Sequence, residues 1–168
     1  MSCCDVSVPI TSFSPSSTTT SFTLTECILR GSSAQEQPLV HVSSAADVEF
    51  VKCQFRSGTV GVSVEGKVKV SDCLFVGQQK SSFLTYPSSS LFVQQSELFG
   101  GNSCLIGKAS SQIVFKQCKL YNQSNGFHCI DTKLLVLHCT FSEILNILDL
   151  SNTIVKVIDC SFRIFLLF

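Results

Sequence analysis

The sequence predicts an all-β solenoid of parallel coils. Three observations carry the prediction: a short apolar phrase that keeps returning, turn-forming residues between its copies, and the near absence of any window patterned as a long capped helix. The phrase is clearest in "VKVSDCLF", Val68 to Phe75. Seven copies align: "FTLTECIL" (Phe22 to Leu29), "VEFVKCQF" (Val48 to Phe55), "VKVSDCLF", "LFVQQSEL" (Leu91 to Leu98), "IVFKQCKL" (Ile113 to Leu120), "LLVLHCTF" (Leu134 to Phe141) and "VKVIDCSF" (Val155 to Phe162). Their anchors are Cys27, Cys53, Cys73, Ser96, Cys118, Cys139 and Cys160, separated by 26, 20, 23, 22, 21 and 21 residues. A period of this size marks units that bury their apolar faces only against their neighbours.

Two solenoids share the pattern apolar-x-apolar-x-x-Cys/Asn-x-apolar. A leucine-rich repeat needs a further apolar residue three positions earlier. Those positions hold Thr19, Ala45, Glu65, Ser88, Ser110, Asp131 and Asn152, all small or polar. The pattern therefore selects the other solenoid, a right-handed single-stranded parallel β-helix of about seven coils with 20–26 residues per coil.

Between successive anchors lies a second β-prone run: Pro38 to Ser43, Thr59 to Val64, Ser81 to Tyr86, Ser103 to Gly107, Gly126 to Ile130 and Ile144 to Leu150. Turn-formers such as "RSG", "PSSS", "GGNS", "NQSNG" and "LSNT" separate them. "TFSEILNILDL" has weak helical periodicity, but its place in the repeat predicts a strand.

Equivalent residues of stacked parallel strands lie about 4.8 Å apart, so each position becomes a ladder. Three apolar ladders follow: Phe22, Val48, Val68, Leu91, Ile113, Leu134, Val155; then Leu24, Phe50, Val70, Val93, Phe115, Val136, Val157; then Leu29, Phe55, Phe75, Leu98, Leu120, Phe141, Phe162. The residues between the first two ladders should face outward: Thr23, Glu49, Lys69, Phe92, Val114, Leu135 and Lys156. Their change from charged to apolar at Phe92, Val114 and Leu135 marks either a contact flank or ordinary scattered surface apolars.

Between Val70 and Cys73 the spacing is three, so the chain bends and the anchor turns inward again. Here the sequence resembles the pectate-lyase-like β-helices, in which this bend often carries a ladder of asparagines. In this chain cysteine stands there in six coils and serine in one. The resemblance covers about Ser21 to Phe168 and extends to non-catalytic β-helix repeats with cysteine-bearing coils. It implies a fold more than an activity, because the superfamily hosts lyases, hydrolases, adhesins and scaffolds. Cysteine suits a buried bend as a small, weakly polar group that stacks without requiring the hydrogen bonds of asparagine.

The chain has 168 residues and 45% apolar content, enough for one domain with a sizeable core. Twelve basic residues balance twelve acidic ones, so no basic stripe for nucleic acid is expected. No apolar run reaches the roughly 20 residues of a membrane span. The opening lacks the basic and apolar regions of a signal peptide and reads as a Ser/Thr-rich mobile leader over residues 1–20, followed by the β-helix over residues 21–168. The leader and the uncapped final segment "CSFRIFLLF" predict a piece of a longer array and self-association through the last coil.

The ten cysteines predict neither zinc nor any other cofactor, since the one close pair, Cys3–Cys4, has no second pair to match it. Ladder neighbours fall within disulfide range, yet Ser96 interrupts the row and a reduced state is expected, which favours a reducing compartment. The compartment itself is not determined.

For catalysis, the polar residues before the anchors are Glu26, Lys52, Asp72, Gln95, Gln117, His138 and Asp159, and the second strands add His41, His128, Asp131 and Asp149. No two carboxylates stack on adjacent coils there, although glycoside cleavage needs a pair about 5 to 9.5 Å apart. The expectation is a non-catalytic module with a protein or glycan ligand on an outer face; the alternative is a carbohydrate-active enzyme of the same fold. Phe83, Tyr86, Phe99, Tyr121 and Phe127 are available for sugar contact or for inward packing. Asn122 begins a glycosylation triplet, meaningful only for an exported chain.

Overall fold

In the computed structural model the described residues are 5–6, 20–32, 36–109 and 111–163. Most of the Ser/Thr-rich leader, the Cys3–Cys4 pair and the final segment after Arg163 lie outside them.

The first strand of each coil joins a seven-stranded parallel sheet, here sheet one. Its strands are Thr20–Thr25, Ala46–Val51, Lys67–Ser71, Ser90–Gln94, Gln112–Lys116, Lys133–Leu137 and Ile154–Ile158, stacked in chain order. The register matches the predicted ladders, pairing Phe22 with Val48, Val48 with Val68, Val68 with Leu91, and so on to Leu134 with Val155. These residues are β-branched, aromatic or leucine because a pleated strand can bury only alternate side chains and must fill a continuous interior with them.

The two remaining strand sets form one sheet of twelve strands, sheet two, instead of two separate ones. In the earlier coils they are distinct, as in Leu74–Gln78 followed by Ser81–Thr85. In the fifth and sixth coils single strands, Lys119–Ile130 and Thr140–Ser151, run through both sets. The expected bend between the sets remains, at the left-handed Asn122 and Glu143, and pairing resumes beyond it within the same strands. The reason is length: these anchors are spaced 21 and 21 residues apart, so Lys119 to Ile130 finds a partner in Thr140 to Ser151 with no inserted residues. The segment that resembled a helix in sequence is therefore strand. Asp5–Val6 pairs with Ile28 and Leu29 and extends the same sheet by one short rung.

Backbone conformation explains the corners. Each residue before an anchor adopts a left-handed conformation: Glu26, Lys52, Asp72, Gln95, Gln117, His138 and Asp159 all have φ between 48° and 56°. A second corner lies four residues after the anchor, at Ser57, Gly77, Gly100, Asn122 and Glu143. A third uses Ser88, Asp131 and Asn152, the positions where a leucine-rich repeat would have needed an apolar residue. None of the positive-φ residues among the described ones is β-branched, as steric crowding at Cβ requires. The first corner is held by the next coil: Gln95 N–H donates to the Lys116 carbonyl at 3.0 Å and Gln117 N–H to the Leu137 carbonyl at 2.9 Å. Gly101 combines φ 96° with a backbone approach that would bring an added Cβ within 2.4 Å of the Gln78 carbonyl oxygen, so only glycine fits.

Inside, the rings of Phe50, Phe55, Phe75, Phe83, Phe115, Phe127, Phe141 and Phe162 touch in sequence. Phe55 and Phe75 stack at 4.3 Å with planes 3° apart, and edge-on contacts continue the chain through the middle coils. Phe83 and Phe127, weighed above as sugar contacts, are buried members of this chain. The ladders loosen at the two ends, where Phe22 and Val157 are each 39% exposed and Phe162 is 48% exposed.

Two stability outcomes follow. Phe75→Ala should cost about 3–5 kcal/mol in urea unfolding, since the cavity opens between stacked neighbours. Gln117→Val should cost about 1–2 kcal/mol while Gln117→Gly is neutral or stabilising, a sign difference that identifies the left-handed corner.

Candidate functional site

The anchors are more than space-filling. At the first corner the anchor N–H points along the solenoid axis to the side chain of the next anchor. Cys53 N–H donates to Cys73 Sγ at 3.3 Å, Cys73 N–H to Ser96 Oγ at 3.0 Å, Cys118 N–H to Cys139 Sγ at 3.4 Å and Cys139 N–H to Cys160 Sγ at 3.4 Å. Each anchor side chain donates in turn to the carbonyl two residues before it, as Cys73 does to Ser71 at 3.2 Å and Ser96 to Gln94 at 2.7 Å. Cysteine does not demand these bonds as asparagine would, yet it makes them: the buried N–H needs an acceptor, and a thiol or hydroxyl supplies it.

The eight described cysteines are free thiols, all buried except the half-buried Cys160. Burial pushes the Cys104 and Cys129 thiols up. Within the adjacent pair, the hydrogen bond with Cys73 draws Cys53 down to about 6, while Cys73 itself is pushed strongly up by that bond and by burial. Both sulfurs sit in an apolar row that disfavours thiolate, so the upward direction governs the pair. Among the described residues no group of three or more His, Cys, Asp or Glu is placed to hold a metal ion.

The three histidines each lie against an acid of the following coil. His128 Nδ1 is 2.7 Å from Asp149 Oδ2, His138 Nδ1 is 3.6 Å from Asp159 Oδ2, and His41 Nε2 is 3.8 Å from Glu65 Oε1. His41 Nδ1 also meets Ser63 Oγ at 3.1 Å. Asp131 accepts a hydrogen bond from Asn152 Nδ2. Among the described residues the polar candidates are thus spread over separate corners and one outer row.

The outer face of sheet two does gather a different set. Val76, Phe99, Tyr121 and Ser142 stand in register, as do Leu74, Glu97, Lys119 and Thr140 beside them. Phe99, exposed, and Tyr121, half-buried, meet at 5.0 Å between ring centroids with planes 40° apart. Glu97 ties them to the polar row: Lys119 Nζ donates to Oε1 at 2.8 Å and the Tyr121 hydroxyl to Oε2 at 3.2 Å. The Lys119 hydrogen bond comes first in holding the Glu97 carboxyl below its ordinary value, and burial comes first in raising the Tyr121 phenol. Tyr86 stands apart, with Lys108 Nζ 5.4 Å from its ring centre.

A second surface lies on sheet one, where Phe92, Val114 and Leu135 are adjacent in register and half-buried. Beside them a shallow depression of about 310 Å³ is lined by Val114, Leu135, Ile154, Lys133 and Lys156 among others.

With coil stacking and corner geometry established, comparison with known families decides the class. A family model described as a right handed beta helix region matches residues 13–162. The chain belongs to the right-handed β-helix family. No curated protein and no solved structure matches it.

In a right-handed β-helix the outward rows are the side chains a ligand can reach, and one of them escaped sequence reasoning. Phe99 and Tyr121 were singled out as residues, whereas Glu97 and Lys119 were not. Both follow an anchor by one residue in consecutive coils, so register arithmetic alone would have placed them side by side. Asn122, exposed at a left-handed corner, borders the platform. Among the described residues no helix is long and apolar enough to cross a membrane.

The thiol row yields two measurable outcomes. Cys73→Ala leaves the Cys53 N–H without its acceptor and should cost about 1–3 kcal/mol, while Cys73→Ser, which reproduces coil four, should cost less; urea unfolding of both variants decides. Under native conditions maleimide should label Cys160 well before Cys53, Cys104 or Cys118, and in denaturant all described cysteines should label. Mass spectrometry showing blocked cysteines in the unfolded, unreduced chain would establish disulfides instead.

Proposed function

We propose that this right-handed β-helix is a non-catalytic binding module that takes a glycan on the outer face of sheet two. The observation that carries the reading is the Phe99–Tyr121 ring pair beside the Glu97–Lys119 ion pair. An exposed ring offers an apolar surface to the C–H face of a pyranose, and the neighbouring carboxylate and ammonium offer an acceptor and a donor to its hydroxyls. Rows spaced about 4.8 Å apart along the solenoid suit an extended chain ligand better than a small enclosed one.

The same geometry supports binding over cleavage. Glycoside hydrolysis requires a carboxylic acid that keeps its proton near neutral pH. Glu97 is driven the other way: its carboxyl lies below the ordinary value, chiefly through Lys119. An ionised Glu97 can accept a hydrogen bond but has no proton to give a leaving group.

Phe99→Ala and Tyr121→Ala should each weaken binding to the best ligand of a glycan array by about tenfold, in line with the loss of a stacked ring. A parallel screen for polysaccharide cleavage should detect no product. Cleavage abolished by Glu97→Gln would replace this reading with an enzyme.

Self-association is a further part of the proposal. The last two described coils leave Leu148, Leu150, Val157 and Phe162 exposed, although their counterparts in inner coils are buried. A second copy covering this coil would complete the ladders, and sedimentation at rising concentration should show a shift from monomer to dimer. A clean monomer throughout would remove it.

A further inference from the structure

The outer face of sheet one carries a charge pattern that the glycan reading does not use. Five lysines point outward from it: Lys67, Lys69, Lys116, Lys133 and Lys156. Lys67 and Lys69 stand in register opposite Asp47 and Glu49, which offset them. The other three have no such partner. Lys116 lies between Gln94 and Leu137, Lys133 between Gln112 and Ile154, and Lys156 beside Leu135. Among the described residues none of these three forms an ion pair. The nearest corner acids are engaged elsewhere, Asp131 with Asn152 and Asp159 with His138.

Between Lys133 and Lys116 runs the apolar row Phe92, Val114, Leu135, whose next rung is Lys156; exposed Ile154 stands beside Lys133 at the depression. We propose that this face docks an amphipathic helix with acidic flanks, presented by a partner protein. Three dimensions fit. The row repeats about every 4.8 Å along the solenoid axis, close to the roughly 5.4 Å rise of one helical turn, so apolar residues at i, i+3 or i+4, and i+7 meet successive rungs. Lys133 and Lys116 open and close their strands, four positions apart, which sets them about 13 Å apart across the row. A helix about 10–12 Å wide lies between them with its flanks within reach of both. The charges are complementary: the face has unpaired cations and no outward carboxylate on its strands from Lys67 to Ile158.

An added β-strand fits less well. The backbone groups of sheet one are already paired within the sheet, and alternate residues of a strand repeat at about 6.6 Å, out of step with the rungs. Nucleic acid would meet three apolar side chains in the middle of the face where phosphate needs cations. The inference concerns a different face from the Phe99–Tyr121 platform and stands or falls without it.

The test uses the full chain and two fluorescent 18-residue helical peptides. Both carry Leu at i, i+3, i+4 and i+7; one has Glu on both flanks and the other Lys. Anisotropy should show the Glu peptide binding at least about tenfold more tightly than the Lys peptide, with affinity falling as salt rises. The Lys116→Glu, Lys133→Glu, Lys156→Glu triple variant should reverse the preference, and Leu135→Asp should weaken both peptides. Circular dichroism checks the fold, and where the triple variant fails it, single Lys133→Gln should weaken the Glu peptide alone. Equal binding of both peptides, or an unchanged preference in these folded variants, overturns the proposal. So does displacement of the Glu peptide by a 20-nucleotide oligo-dT, or by anionic vesicles, at lower concentration than by the unlabelled peptide. A dimer that Leu135→Asp dissociates, with no peptide binding, would assign the face to a second copy instead.

Discussion

At the first corner the backbone turns, and in four of the coils the N–H of the anchor residue meets a side chain of its neighbour. The side chain of the next anchor accepts it, and this one hydrogen bond underlies the stack. It is seen from Cys53 to Cys73, Cys73 to Ser96, Cys118 to Cys139 and Cys139 to Cys160. The side chain must be short, tolerate burial and both donate and accept, which leaves few residue types. The left-handed residue just before it aims the anchor inward, and its own N–H bonds to the following coil. Turn, hydrogen bond and coil stacking therefore depend on one another, and the row of cysteines has a structural reason.

That constraint organises the core. With the corner aligned in coil after coil, the apolar ladders fall into register and the phenylalanines form a connected chain of rings from Phe50 to Phe162. Each ring is held by a neighbour from another strand, so stability builds between adjacent coils more than within any one of them. The loosening of the ladders at both described ends has the same origin: a ladder residue is buried only where a coil lies on each side.

The interior columns and corners are committed to structure, which leaves recognition to the outward rows. Those rows differ sharply in chemistry although one repeat unit generates them all. Sheet two presents aromatic rings joined to an ion pair, the surface proposed to take a glycan. Sheet one presents an apolar row between lysines that form no ion pair among the described residues, the surface proposed to dock an acidic helix. A solenoid makes such divergence cheap in structural terms, because an outward substitution changes a face without disturbing the core.

Much of the fold was legible because burial repeats at fixed offsets. The positions of Val68, Val70, Cys73 and Phe75 announce an inward strand, a corner and a second inward strand, and the anchors set the coil lengths. The failure of the leucine-rich pattern at Ser88, Asp131 and Asn152 also had a local cause, since those residues adopt left-handed turns. The rest depended on distances between coils that no local pattern records. Whether Phe83 and Phe127 faced inward depended on the rings of Phe75, Phe115 and Phe141. The joining of two strand sets into one sheet needed equal coil lengths to bring Lys119–Ile130 into register with Thr140–Ser151. The thiol hydrogen bonds and the Glu97–Lys119 pair join residues about one coil apart, and only closure of the coil brings them together. Sequence by itself determined the repeat, its ladders and its corners, because those follow from local sterics and periodic burial. Tertiary structure decided which polar groups meet, because meeting is a property of stacking.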